Sequence, residues 1–572
     1  MKISKYKNKI KIAILGGSTT DLIKDNLQKL CWNSKLRAEF YQSDYNQFYY
    51  EGLNPSKKLI KFNPDFIYIH TSNINIDEYP KIGAGNKDVK KLTNKIFNKY
   101  KSIWLSLKKK FNGIIIQNNF EHLSLTSLGS LESVKPFGKI NFINNLNTKF
   151  FEYSQKTKGL VIQDINLLSA QFGLDNWHND SFFFNYKYVL SHEGISILTK
   201  NIINIIYGIL GKSKKCLILD FDNTIWGGVI GEIGWQKIEI GNHSAVGEIF
   251  LRFQRYIHEL MIKGVIIVGC TKNNYETALS GFKNKSNILQ KEHFTIIKAN
   301  WENKAKNILE ISKELNIGLD SMVFVDDSKF ERDLVKKHLP MIAVPNIGDE
   351  PENFVFHLDR EKYFNTLDLS KEDLARASYY KKNIKRENEK VKFKNYNQYL
   401  LSLNSKSNIQ KFSKQNFERI HQLINKTNQF NLTTKRMSFN EVKNISKNNK
   451  FLTISSDLTD KFGENGIVSI LIGKINNREM DIIQWLMSCR VFNRNLEFAV
   501  FDYLVSQCKK RGIAKINGTF IKSKKNYIVE NFYGDLKFKI NIKNKKGSNW
   551  TYRVKKNYKK MNKIIYINNE NK

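Results

Sequence analysis

The sequence predicts an α/β protein, with two successive doubly wound parallel-sheet domains followed by an α+β domain. Three observations carry that prediction. A chain of 572 residues has room for three or four domains at roughly 150 residues each. Short apolar runs separated by helix-length stretches recur in two series over the first 350 residues, as parallel strands joined by helices do. Beyond residue 411 the apolar segments lie close together, the spacing of antiparallel strands.

In chain order, the first series holds runs at 10–15, 66–69, 114–116 and 160–162, which assigns residues 1–210 to the first α/β domain. The second holds 216–219, 265–268, 294–297, 322–325 and 341–344, with helical stretches at 248–263 and 303–316, and assigns 211–350 to the second. Residues 351–410 are charged and poor in apolar side chains, and read as a solvated helical connector. Residues 411–545 give a helix at 415–425 and strands at 451–455, 466–474 and 480–485. A helix at 496–510 and strand-like segments at 513–517 and 536–542 complete this domain. Residues 546–572 read as a loose basic tail. No repeat of fixed period runs through the chain.

Composition excludes several classes. Lys and Arg number 93 against 54 Asp and Glu, a net charge of +39, but no dense Lys/Arg block marks a nucleic-acid arm. Five scattered cysteines, without a C-x-x-C, suggest neither a disulfide framework nor a zinc site and fit a reducing compartment. The first apolar run is too short for a signal peptide and meets Gly16-Gly17 rather than a cleavage site. No apolar stretch reaches the roughly 18 residues of a membrane span, so the expectation is a soluble, cytoplasmic protein.

The chemistry sits in the second series. Leu217-Ile218-Leu219-Asp220-Phe221-Asp222 is an apolar strand ending in two carboxylates one residue apart. In open α/β sheets ligands bind beyond the carboxyl ends of the strands. There Asp220 can face an electrophile, while Asp222, where the backbone turns away, can act as acid and base. The neighbouring strands end in Thr271-Lys272-Asn273, in a stretch leading to Lys304, and in Asp326-Asp327. Carboxylates, a hydroxyl and a lysine on one rim suit Mg²⁺ and phosphate, because Mg²⁺ takes hard oxygen ligands from carboxylates and substrate phosphate.

This set resembles the haloacid dehalogenase (HAD) superfamily. The resemblance puts Asp220 at the nucleophile, Asp222 at the acid/base, Thr271 at the second-motif hydroxyl and Lys304 at the third-motif lysine. Asp220, Asp222, Asp326 and Asp327 then hold the metal. Asp222-Asn223-Thr224-Ile225-Trp226-Gly227-Gly228, Thr271-Lys272-Asn273-Asn274 and Ala299-Asn300-Trp301-Glu302-Asn303-Lys304 narrow the resemblance to the FkbH-like branch (HAD-IIIC). It implies a flap over 226–241 and substrate contacts from Lys272, Asn273, Trp226, Gly227 and Gly228.

Leu15-Gly16-Gly17-Ser18, the 116–121 segment and Asp175-Asn176-Trp177-His178 are similar to the SGNH-hydrolase-like domain of FkbH relatives. Ser18 with Asp175 and His178 could form a triad, with Asn73 or Asn118 as loose oxyanion candidates, or the domain is a retired hydrolase scaffold, the favoured reading. The segments at 426–431, 460–466 and 485–490 are similar to the GNAT acyltransferase-like domain of these proteins. There Cys489, Arg490, Asn493 and Asn495 are the acyl- or carrier-binding candidates, with Asn standing at 493 and 495 where relatives have Gly. The resemblance thus implies Mg²⁺-dependent removal of phosphate from a small phosphorylated acid, coupled to transfer of a glyceryl-type acyl group to an acyl carrier protein. Acyl-CoA or a phosphopantetheine carrier is the implied second cofactor. A stand-alone sugar-phosphate phosphatase of surface-polysaccharide biosynthesis and an assembly scaffold are the alternatives.

Overall fold

The inner strands of the first 330 residues are short and largely apolar, as strands covered by helices on both faces must be. They are described by a computed structural model covering residues 9–568, apart from 34, 35, 368, 370 and 524. The chain falls into two compact units, one of residues up to 206 with 438–441, the other of 207–437 with 442 onward.

In the first unit, β1 (Lys9–Gly16), β2 (Arg37–Gln42), β3 (Phe66–His70), β4 (Ile114–Asn118) and β5 (Leu160–Gln163) form one parallel sheet in the order β2-β1-β3-β4-β5. The strand order reverses between β1 and β3, where such sheets open a crevice. The helix Asn86–Lys110 covers the sheet with Tyr100, Ile103, Trp104 and Leu107.

In the second unit, β6 (Cys216–Leu219), β7 (Ile266–Thr271), β8 (Ile296–Ala299) and β9 (Met322–Val325) form a parallel sheet ordered β8-β7-β6-β9. The run at 341–344 does not extend it. Only Ala343 bridges to Val323, so the expected fifth strand is a single rung at the sheet edge.

The third sheet joins β10 (Lys406–Ser407), β11 (Ile409–Gln410), β12 (Phe451–Asp460), β13 (Gly463–Asn476), β14 (Glu479–Met487) and β15 (Lys515–Ile521). β16 (Lys539–Asn544), β17 (Gly547–Arg553) and β18 (Tyr566–Ile567) complete it. Pairing is antiparallel except for β14 with β15 and β10 with β18. β14 pairs with β15 only over Glu479–Ile482, and its later half turns to Phe430 and Leu432 instead. The two strands therefore part just before the helix Leu496–Lys510.

Two expectations fail here. Residues from 546 to 568 are not a loose tail: β17 lies between β15 and β16, and its Ser548, Trp550 and Tyr552 alternate inward while polar neighbours face out. That period of two is a strand signature which the surrounding lysines mask. Residues 569–572 lie outside the described chain. Nor is 351–410 a solvated connector throughout, since Tyr380 on the helix Arg376–Lys390 joins the core beneath β6 and β7, and residues 406–407 and 409–410 are strand. On the same helix, Arg386 places Nε and Nη2 2.8 and 2.7 Å from the carboxylate of Asp460, which also accepts from Arg494 Nη1 at 2.7 Å.

This triad ties the helix to the end of β12 and to the loop before Leu496. Asp460 is buried between two cations. Removing one partner of a buried ion pair costs about 3–5 kcal/mol because the other charge is left uncompensated. Asp460→Ala should therefore lose stability in that range in denaturant titration, whereas Lys306→Ala, which breaks an exposed pair with Glu302, should change it by no more than about 0.5 kcal/mol.

Candidate active site

The register of the second sheet sets the site. β6 pairs Leu219 with Gly269 of β7 and with Val325 of β9, so Asp220, Thr271 and Asp326 leave the sheet close to one level. Phe221, between the two aspartates, points into the core against Trp226, Phe282 and Phe294. Gly269 makes room for it, since a Cβ there would fall 2.5 Å from the Phe221 ring. The inward Phe221 leaves Asp220 and Asp222 to face the rim.

Lys304 opens the helix Lys304–Leu315, capped by the Asn303 side chain on the Ala305 amide. It is buried, and its Nζ lies 2.8 Å from Asp220 Oδ1 and 2.6 Å from Asp326 Oδ2. Burial pulls the lysine pKa down, but Asp220 and Asp326 outweigh it and hold the ammonium above its ordinary range. Burial pushes the Asp326 carboxyl up to about 7, with Asp220 adding to the rise and Lys304 opposing it. Asp327 is also raised, first by burial and then by Asp220.

Oxygens of Asp220, Asp326 and Asp327 lie within 4.8 Å of one another, close enough to share one cation. Three hard carboxylate oxygens are the donor set a magnesium ion takes. The loop is fixed from behind: the Asp327 amide donates to Thr224 Oγ1 at 3.2 Å, the Ser328 amide donates to Asp326 Oδ1 at 3.0 Å, and Arg332 Nη1 donates to the carbonyls of Asp326 and Asp327.

The Asp222 carboxylate does not join that cluster, although the sequence places Asp222 among the metal ligands. Its Oδ1 accepts from Trp226 Nε1 at 2.9 Å and the Ile230 amide at 3.1 Å, and its Oδ2 from Asn273 Nδ2 at 3.2 Å. Burial raises its pKa, with Asp220 adding to the rise and these donors countering it. Trp226, expected to touch substrate, has no exposed surface and instead orients Asp222.

Gly227 exchanges two backbone hydrogen bonds with Glu239, which pins the 226–241 segment as a folded strap, and Gly228 turns it at φ +92°. The Gly228 amide donates to Asn223 Oδ1 at 2.8 Å rather than standing open to a ligand. Lys272 pairs with Glu331 at 2.6 Å, and Thr271 ends β7 buried. Trp301, which sequence reasoning did not single out as a contact, is largely exposed beside this rim, with its Nε1 3.2 Å from Asn274 Oδ1.

The candidates of the C-terminal region are separated into two places. Asn493 and Asn495 take φ of 59° and 62°, the left-handed backbone that glycine favours. They line a cavity of about 360 Å³ with Lys390, Tyr396 and Glu497. Glu497 stands in the first turn of the helix Leu496–Lys510, where an anion would otherwise bind, and burial raises its pKa. Cys489 and Arg490 lie against the connecting helix instead: Tyr380 Oη is 3.6 Å from Cys489 Sγ, and the Arg490 guanidinium stacks 4.4 Å from the Tyr379 ring.

In the first unit, Ser18 is buried, and Asp175 does not partner His178 as the alternative triad reading would have it. Asp175 is exposed, and His178 sets Nε2 3.1 Å from Glu121 Oε1 and Nδ1 3.2 Å from the Val189 carbonyl. Asn73 donates to the His122 carbonyl at 3.2 Å and Asn118 to the Thr71 carbonyl at 2.9 Å. Glu121, which sequence reasoning passed over as a catalytic partner, was detectable only as a carboxylate just beyond the end of a β-strand.

Residues 11–207 match the sequence family described as FkbH, N-terminal domain. The crystal structure of the N-terminal part of protein BF1531 from Bacteroides fragilis, containing a phosphatase domain complexed with Mg, is similar at 31% identity. The alignment covers 63% of this chain and 95% of that one, with a TM-score of 0.59. The ribosomal-protein-S18-alanine N-acetyltransferase from Escherichia coli aligns at 11% identity, over 27% of this chain and 99% of that one, with a TM-score of 0.21. PaiA N-acetyltransferase from Thermoplasma acidophilum, in complex with coenzyme A, aligns at 12% over 26% and 98%, also at 0.21. No curated protein matches the chain. Among the described residues no helix is long and apolar enough to cross a membrane.

The site geometry makes Lys304 the counter-ion of a crowded acidic pocket. Lys304→Ala should lower stability by about 3–5 kcal/mol in EDTA, the cost of stripping one partner from a buried ion pair. MgCl₂ at a hundred times its dissociation constant should restore about 2.7 kcal/mol of that. Thermal melts of the Lys304→Ala variant with EDTA and with MgCl₂ check this, and no stabilisation of the variant by MgCl₂ would place the cation elsewhere.

Proposed function

The chain belongs to the FkbH-like family of phosphatase-domain proteins, and from that premise we propose that residues 211–350 form a Mg²⁺-dependent, HAD-type (HAD-IIIC) phosphoryl-transfer site. The observation that carries the reading is the Lys304 ammonium held between Asp220 and Asp326, with Asp327 completing a three-carboxylate pocket. Asp220, Asp326 and Asp327 would hold Mg²⁺, which supplies charge neutralisation for the phosphate oxygens.

The chain's own groups account for the rest. Lys304 occupies Asp220 Oδ1, which leaves Oδ2 to attack phosphorus. As the O–P bond to Asp220 forms, the bond to the leaving oxygen breaks, and that oxygen takes its proton from Asp222. Burial keeps Asp222 readier to hold a proton than an exposed aspartate. Water then attacks the aspartyl phosphate, passes a proton to Asp222 and frees inorganic phosphate, restoring both carboxyls. Thr271 and Lys304 steady the transferring group, while Asn273 and Trp226 keep Asp222 in place.

The proposed substrate is a small acid carried as its acyl phosphate: the thiol of an acyl carrier protein attacks the glyceryl-type acyl carbon, the carbon–oxygen bond to phosphate breaks as the thioester forms, and phosphate is the leaving group. A sugar-phosphate phosphatase remains the second reading, because the pocket recognises the phosphoryl group more plainly than what bears it. Within the chain Phe221 stands between the two aspartates and cannot carry a thioester. Cys270 is buried, its thiol pushed up to about 12 by that burial, and among the five cysteines Cys489 alone is not buried. Any acyl-enzyme is therefore assigned to Cys489. Glu497 in the neighbouring cavity opposes the pyrophosphate of coenzyme A, which favours a protein carrier over free acyl-CoA.

Purified Asp220→Asn should lose Mg²⁺-dependent phosphate release by several orders of magnitude, the usual consequence of removing a covalent nucleophile. Release at the wild-type rate would refute the site. Intact-protein mass spectrometry after incubation with an acyl-phosphate donor should show either no adduct or one that disappears in Cys489→Ser. An adduct that persists in Cys489→Ser and vanishes in Cys270→Ser would reverse the assignment.

A further inference from the structure

Cys489 stands in a cluster of cations at the opposite edge of the second sheet from Asp220. Lys215 precedes β6, and its amide donates at 2.7 Å to the carbonyl of Ser321, just before β9. Arg376 Nη1 donates at 3.0 Å to the carbonyl of Gly264, two residues before β7. This is the edge where the strands begin, whereas Asp220 stands where β6 ends. Cys489 meets it there: its Sγ is 3.6 Å from Tyr380 Oη, and Lys215 and Arg376 lie within electrostatic reach of the thiol. Burial pulls the Lys215 pKa down, Cys489 opposes this, and Arg376, Lys525 and Lys426 add to it. Arg490, the next residue, is 8% exposed. Its guanidinium stacks on the Tyr379 ring, yet Nη1 is buried without a hydrogen-bond partner.

The carboxylates at this edge are too few for its cations. Asp373 already serves both Arg376 and Lys426, and Asp320 pairs with Lys525. Among the described residues no carboxylate pairs with Lys215 or Arg490. Cations withdrawn from water are normally paired, so this edge is short of negative charge. We propose that it binds the phosphate group of a small acyl phosphate beside Cys489, with Lys215 and Arg490 as the counter-charges. A phosphate dianion offers several oxygens and can accept from a guanidinium and an ammonium together, which a single carboxylate does less well. Cys489 is partly open to solvent, so a small ligand reaches it from outside. Phosphate held next to the sulfur sets the acyl carbon of an acyl phosphate within its reach. The phosphate of a carrier's phosphopantetheine arm, bound in the same place, would leave its own thiol an arm's length away. The proposal rests on the assignment of Cys489 as the acyl-accepting thiol and adds a second phosphate site across the sheet from the first.

Alkylation of Cys489 in the full chain tests this without any turnover, so its failure is distinct from failure of the phosphoryl-transfer or acyl-transfer reading. Iodoacetate carries a negative charge and iodoacetamide does not, and peptide mapping reads the rate of each at Cys489. Lys215→Met and Arg490→Gln should each lower the iodoacetate-to-iodoacetamide rate ratio about tenfold, the enrichment that a cationic site gives an anion. Lys215→Met leaves the Arg490 stacking in place and keeps the test decisive if Arg490→Gln does not fold. Inorganic phosphate and acetyl phosphate should slow iodoacetate labelling of the wild type more than sodium chloride does at equal ionic strength. A ratio unchanged in a folded variant, phosphate protecting no better than chloride, or a Cys489 that neither reagent reaches would overturn the proposal. Stronger protection by 4′-phosphopantothenate than by acetyl phosphate would overturn the choice of ligand and give the site to the carrier's arm.

Discussion

Everything in the second sheet's rim answers to one constraint: carboxylates gathered where they repel. Two carboxylates 4 Å apart oppose each other by about 4 kcal/mol at an effective dielectric constant of 20. Lys304 relieves this for Asp220 and Asp326 at 2.8 and 2.6 Å, and it can do so because Asn303 caps the helix that presents it. Arg332 holds the backbone of Asp326 and Asp327 from beneath, which keeps the acidic loop from relaxing outward. A pocket prevented from relaxing in this way favours a dication and the phosphate that travels with it.

The two aspartates of one short segment acquire different chemistry from their surroundings. Asp220 keeps its place on the ammonium, while Asp222 turns away to an indole, an amide and an asparagine. The residue between them decides this. Phe221 is drawn into an aromatic group with Trp226, Phe282 and Phe294, and only a glycine at 269 leaves space for its ring. Packing in the core thereby gives Asp220 and Asp222 unlike surroundings, the pattern by which paired carboxylates can take unlike roles.

Much of this was legible in the residues, and the exceptions have physical causes. The helix Leu496–Lys510 and the strands β6 and β9 fall at the bounds expected from their apolar patterns, since each is apolar enough to be fixed by burial alone. β2 was missed because RAEFYQ is a polar edge strand, a composition that guards an open edge. The run at 341–344 misled in the opposite direction, being apolar but placed beyond the last full strand. Motif spacing brought Asp220, Lys304, Asp326 and Asp327 together, yet it could not tell which way a side chain turns. That is why Trp226 looked like a substrate contact and Asp222 like a metal ligand, and why Asp175 rather than Glu121 seemed the partner of His178.

The central claim is that Asp220 receives the phosphoryl group in a pocket shared with Asp326 and Asp327. Beryllium fluoride mimics a phosphoryl group on a carboxylate and requires no knowledge of the substrate, so a crystal structure of the protein with MgCl₂ and beryllium fluoride tests the claim most directly. The account predicts a trifluoroberyllate on Asp220 Oδ2, Lys304 still on Oδ1, and Mg²⁺ bound by the carboxylates of Asp220, Asp326 and Asp327 with the Asp222 carboxylate unligated. A fluoride adduct on Asp222, or Mg²⁺ bound away from these three carboxylates, would contradict it.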